Sequence, residues 1–130
     1  MKMIFLSFFL SITCLSKAQV KKRDQGVYTG VIPGYAINTG EDLIQVDSCI
    51  LQIRLEKKQI MIKIDDKVYE GTYQVHQKIK RTYVLYAETV YSDIKEEIIL
   101  MGKDKSMSRK GLFPQPDTKL QKLKKKEVLW

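Results

Sequence analysis

From Cys49 to Leu100, apolar side chains return at every second position. Cys49, Leu51, Ile53 and Leu55 fall on one side of an extended chain and Gln52, Arg54 and Glu56 on the other, with Ile50 the exception. This is the period of a β-strand with one face in a core and one in water. Ile60, Ile62 and Ile64 repeat it opposite Met61, Lys63 and Asp65. Tyr69, Gly71, Tyr73 and Val75 repeat it again, opposite Glu70, Thr72, Gln74 and His76. Between Arg81 and Tyr91, one side carries Tyr83, Leu85, Ala87 and Tyr91 and the other Val84, Tyr86 and Val90, which predicts cover on both faces. Ile94–Met101 predicts a further strand with Ile98 and Leu100 inward, and Ser106–Arg109 a short one.

Short polar links separate these runs: Lys57-Lys58, Asp65-Asp66-Lys67, Gln77–Lys80, Ser92-Asp93 and Lys103–Lys105. Upstream, Gly26–Ile32 predicts a first strand ended by the turn pair Pro33-Gly34. Residues 35–47, broken at Asn38-Thr39-Gly40, predict a loop or a short irregular strand. Gly111–Pro116 closes the regular region. Asp117 or Thr118 then suits the cap of one short C-terminal helix through Lys119–Leu123, with Leu120 and Leu123 sharing a face; a last strand is the rival reading. Many short strands, tight turns and no long crossover predict an all-β domain. Its expected architecture is an antiparallel meander forming a small barrel or a strongly curved sheet, since closure removes unpaired edges.

The start of the chain has another character. Lys2, the uncharged run Ile4–Leu15 and then Ser16-Lys17-Ala18 read as an export signal cut near Ala18/Gln19. The run is about a dozen residues, short of the roughly twenty that span a bilayer. The expected product is periplasmic or extracellular. A lipid-anchored start at Cys14 is disfavoured, because Ser11-Ile12-Thr13 fits that signal poorly. The expected organisation is a signal at 1–18, a flexible start at 19–25, a single domain at 26–123 and a basic, apolar-ended tail at 124–130.

Charge narrows the partners. The 130 residues carry 23 Lys and Arg against 15 Asp and Glu, a net +8. Loss of Lys2 and Lys17 with the signal leaves about +6, which favours anionic surfaces and allows weak contact with an anionic membrane; export argues against nucleic acid. With Cys14 in the signal, Cys49 has no partner for an internal disulfide, so the core must hold the fold.

Three segments resemble a known group when taken in order: Gly26-Val27-Tyr28-Thr29-Gly30-Val31-Ile32-Pro33, Glu70-Gly71-Thr72-Tyr73, and Arg109-Lys110-Gly111-Leu112. They are similar to small lipocalin-like barrels of bacterial envelopes, in particular the N-terminal domains of copper-resistance lipoproteins that sense envelope stress. The resemblance covers residues 26 to 123 and implies an up-and-down barrel with one open end. That family carries a Cys-x-x-Cys pair just after its Gly-x-x-Pro turn. Here the stretch is Gly34-Tyr35-Ala36-Ile37, so copper binding is not implied.

Little in the chain points to catalysis. His76 is the sole histidine and falls on a polar strand face, without the partners that acid–base or metal chemistry needs. Asp65-Asp66 reads as a turn and Glu96-Glu97 as strand charge matched by nearby lysines; adjacent strand residues point to opposite faces and form no dyad. No nucleophile elbow, phosphate loop or calcium loop is present. The expectation is a protein without catalytic residues, metal or cofactor. Cys49 reads as a small buried hydrophobe. Lys119, Lys122, Lys124, Lys125 and Lys126 form a basic patch.

The expected function is therefore binding. A small apolar or amphipathic ligand would enter the open end, with Tyr28, Tyr35, Tyr69, Tyr73 and Tyr83 as candidate contacts, or an envelope protein would dock on a sheet edge. Core packing is the competing role for the tyrosines. The other functional expectation is an interaction or inhibitor protein acting through the loop at 33–47.

Overall fold

The computed structural model describes residues 19–90, 92–111 and 115–127, and of 92–94 the backbone alone. The export signal at 1–18, the question of Cys14, Tyr91 and the end of the tail lie outside the described residues. A 3₁₀ turn at Lys22–Asp24 leads into ten strands: β1 (Gly26–Ile32), β2 (Tyr35–Asn38), β3 (Leu43–Val46), β4 (Cys49–Leu55), β5 (Gln59–Ile64), β6 (Lys67–Ile79), β7 (Thr82–Thr89), β8 (Ser92–Met101), β9 (Ser106–Arg109) and β10 (Thr118–Lys122). A second 3₁₀ turn follows at Lys125–Glu127.

Eight strands close into an antiparallel barrel in the order β1-β10-β9-β8-β7-β6-β5-β4. Closure comes from β1, which pairs with β4 from Gly26↔Leu55 to Ile32↔Cys49 and with β10 at Tyr28↔Lys122 through Gly30↔Leu120. A barrel of eight strands encloses a space that side chains can fill. Here they fill it: Ile32, Leu51, Ile53, Ile60, Ile62, Leu85, Ile98, Leu100, Met107 and Leu120 are at most 1% exposed. Those from Leu51 to Leu100 are the residues on the inner side of the period-two pattern; Ile32, Met107 and Leu120 join them from β1, β9 and β10.

Three expectations need correction. The C-terminal segment is the rival last strand, not the short helix. Thr118 and Leu120 point inward opposite Arg109 and Met107, and β10 fills the gap between β9 and β1 that would otherwise leave two raw edges. Leu123 does not share a face with Leu120; its N–H bonds the carbonyl of Val27 on the outer wall. Residues 35–47 follow the strand side of their expectation and not the loop, but as two strands: β2 and β3 form a hairpin in register Tyr35↔Val46 and Ile37↔Ile44, a two-stranded sheet of its own. Residues 19–25 are not frayed. Val20 joins the core at 3% exposure and Asp24 is 1% exposed.

Candidate functional site

The barrel has two ends with different chemistry. At the end where β1 begins, the N-terminal turn folds beneath the core and inserts Asp24. Arg81 donates to Asp24 Oδ1 from Nε at 3.2 Å and from Nη2 at 2.6 Å, and Nη2 also bonds the Gly102 carbonyl at 3.0 Å. Tyr83 donates its hydroxyl to Asp24 Oδ2 at 2.8 Å, and Tyr28 donates to the Asp24 carbonyl at 2.6 Å. Gly102 is required here: a β-carbon on it would collide with the Asp24 carboxylate. Burial by itself would raise the Asp24 pKa, but the Arg81 and Tyr83 hydrogen bonds and the Arg81 charge outweigh it and hold the carboxyl below its usual range.

Three of the five candidate tyrosines serve this end. Tyr28 and Tyr83 are fully buried, with hydroxyls committed to Asp24. Tyr73 donates to the carbonyls of Glu56 and Lys57 and clamps the β4–β5 turn. Burial, then the Asp24 charge, pushes the Tyr28 hydroxyl far up; burial pushes Tyr73 up to about 12; burial and the bond to Asp24 push Tyr83 up. Tyr35 on β2 and Tyr69 opposite Ile62 are half-buried toward the other end, apart from this cluster.

The interior of the other end holds a polar pair. The sequence predicts Glu96 as strand charge matched by nearby lysines, and the structure corrects this. It is buried against Arg109, which is fully buried itself; Nε of Arg109 lies 2.6 Å from Glu96 Oε1, and Nη1 bonds Gln115 Oε1 at 2.7 Å. Among the described residues, Glu96 Oε2 and Thr118 Oγ1 have no hydrogen-bond partner. The signal was available: Glu96 lies two residues before Ile98, and Arg109 two after Met107, so both occupy inward positions. Cys49 packs nearby against the core, half-buried, and burial pushes its thiol pKa up.

A concavity among the described residues lies outside the barrel. It is a groove of about 900 Å³ at the plugged end, between the N-terminal turn and the chain that leaves β10. The turn contributes Lys22 and Arg23, β4 contributes Arg54, the β8–β9 turn Lys105, and the C-terminal segment Lys122, Lys124 and Lys125. Val27 and Leu123 form an apolar floor, and no carboxylate is among the lining residues. Lys122 is half-buried and donates to the Arg23 carbonyl at 2.6 Å. Burial, helped by the charges of Lys105, Arg81 and Lys125, outweighs the pull of Asp24 and lowers its pKa.

The basic patch read from the C-terminus is thus only half of this site. Chain topology adds cations from three distant segments. Lys119 stands instead on the outer wall of β10 beside Ser108, and Lys126 is not part of the lining. His76 is exposed and stacks at a tilt on Tyr86, ring centres 4.8 Å apart. Among the described residues, no group of three or more His, Cys, Asp or Glu is placed to hold a metal ion, and no helix is long and apolar enough to cross a membrane.

Fold and site together define a class: a small closed antiparallel β-barrel, filled inside, plugged at one end and carrying a basic groove on its outer wall. No protein-family model, curated protein or solved structure matches the chain.

Proposed function

We propose that this is an exported, non-catalytic binding module that holds a small amphipathic anion in the outer groove, not inside the barrel. One observation carries the reading: seven cationic side chains surround an apolar floor with no carboxylate among them. An acidic head group gains charge-assisted hydrogen bonds from the lysines. An alkyl segment lying against half-buried Leu123, with Val27 already 4% exposed and adding little, gains about 25 cal/mol for each Å² removed from water. A barrel interior packed with side chains leaves the outer wall as the binding surface. The same groove suits an anionic bilayer, where each lysine near the surface adds about 1 kcal/mol.

The test is titration of the exported protein with dodecyl phosphate below its micellar concentration, followed by calorimetry. Lys124→Glu/Lys125→Glu reverses two wall charges on exposed residues and is expected to weaken binding at least tenfold, with the affinity of the native protein falling as salt rises. Equal binding by the variant, or equal binding of an uncharged dodecyl glycoside, rejects the reading.

A second reading has its own support. Leu43 is 69% and Ile44 48% exposed on the β2–β3 hairpin, which is not part of the barrel sheet. Isolated two-stranded hairpins are marginal in water. A separate hairpin that exposes Leu43 and Ile44 fits a protein-docking element.

A further inference from the structure

We infer that two copies of the chain pair about a twofold axis across the β1–β4 wall, the hairpin end of each seated on the basic groove of the other. The wall itself suggests this. Because β1 and β4 are in register over their whole length, their outward side chains form rungs: Val27 beside Arg54 at the plugged end, Thr29 beside Gln52 at the middle, Val31 beside Ile50 at the hairpin end. Val31 and Ile50 are each 56% exposed, although they are direct cross-strand partners. The hairpin begins three residues after Ile32 and ends three before Cys49, so it adds its exposed Leu43 and Ile44 to this end.

The charges of the two ends are opposite. The hairpin tip carries exposed Glu41 and Asp42, held by bonds between Thr39 and Asp42 and from Gly40 N–H to Asn38 Oδ1. Asp47 follows the hairpin, and Asp65 and Asp66 border a concavity of about 530 Å³ with Ile50, Gln52 and Lys63. Lys63 is the one cation lining it. The other end of the same wall is the groove of lysines and arginines over Val27 and Leu123.

One barrel cannot bring these ends together. They sit at opposite ends of the same pair of strands, about 13 Å apart at four residues' rise. A second copy turned through a twofold axis near Thr29 and Gln52 satisfies both ends at once and closes the assembly. Residues on the axis face their own copies, and here they are uncharged. The inference uses the same groove as the ligand reading but does not depend on it.

The test has two parts, both on the exported protein. Sedimentation velocity from micromolar to submillimolar concentration is expected to give a monomer–dimer equilibrium that weakens with salt. Mixed isotopically light and heavy protein, treated with a zero-length carbodiimide, is expected to yield light–heavy cross-links from Glu41, Asp42, Asp65 or Asp66 to Lys122, Lys124 or Lys125. Glu41→Lys/Asp42→Lys and Lys124→Glu/Lys125→Glu are each expected to weaken self-association at least tenfold, and an equimolar mixture of the two to restore it. Val31→Lys/Ile50→Lys, on outward exposed positions, is expected to break the dimer and leave dodecyl phosphate binding intact. A monomer at every concentration, or charge swaps that change nothing, overturns the inference. Binding of dodecyl phosphate without a dimer rejects the dimer alone; a native dimer whose Val31→Lys/Ile50→Lys monomer, with its groove uncovered, does not bind dodecyl phosphate rejects the ligand reading alone.

Discussion

Asp24 ties the N-terminal turn to the barrel through one carboxylate. It is fully buried, and its partner Arg81 is 26% exposed at the side chain. Its carboxyl pKa lies below the unfolded value, so ionised Asp24 stabilises the fold above the ordinary carboxylate range, and that contribution is lost as pH falls through the folded pKa. Asp24→Asn removes the charge and leaves Arg81 without its counter-ion. It is expected to cost about 2 kcal/mol in urea unfolding near neutral pH, discounted from a fully buried pair because Arg81 reaches solvent. The cost should begin to shrink below about pH 4, where the carboxyl gains its proton in the unfolded chain, and should vanish only once the pH falls below the lowered folded pKa. A constant difference between variant and native protein from pH 7 to pH 3 rejects this account. Reading Asp24 as part of a frayed start was reasonable locally, since Gln19–Gln25 has no period; only Arg81, Tyr83 and Gly102, far along the chain, make a buried place for it.

At the scale of elements, closure depends on β10, a strand of five residues. Among the described residues it is the sole bridge between β1 and β9. Removing residues 118–130 takes away the basic tail and also opens the barrel, exposing the edges of β1 and β9 together. Such a truncation is expected to abolish cooperative thermal unfolding and to aggregate, measured by circular dichroism and light scattering. A truncated chain that melts cooperatively as a monomer would show that β10 is dispensable. This is why the groove is tested by point substitutions. The helix expectation for this segment rested on Leu120 and Leu123 three apart, and a five-residue element offers too few positions to distinguish a period of two from one of 3.6. The hairpin was illegible for a similar reason. Its apolar residues, Ile37, Leu43 and Ile44, face no barrel core, so no buried face imposes alternation on them.

For the whole molecule, the buried tyrosines connect the fold to alkaline pH. Their folded pKa values are raised, so their contribution is complete below the unfolded value of about 10 and is lost as pH rises toward ionisation in the folded state. Tyr73 marks that upper bound at about 12, with Tyr28 and Tyr83 shifted the same way. Alkaline titration followed at the tyrosinate band is expected to resolve accessible hydroxyls near pH 10 and a later group that ionises together with loss of the β-sheet dichroism. A single titration step near pH 10 with the sheet intact would mean that these hydroxyls are open to water. The molecule is also polarised, basic at its plugged end and acidic at its hairpin, which no count of net charge reveals.

The sequence by itself determined the strand class, the inward set from Leu51 to Leu100 and most of the turns, because alternation is a local property enforced by burial of one face. It also placed Glu96 and Arg109 on inward positions, though their charge concealed it. Tertiary structure alone decided where the barrel closes, that Tyr28, Tyr73 and Tyr83 serve the plugged end, and that Lys22, Arg23, Arg54 and Lys105 meet Lys122, Lys124 and Lys125 around one floor. Those outcomes join segments up to a hundred residues apart, and which segments become neighbours follows from strand order, a property of the closed sheet that no local pattern contains.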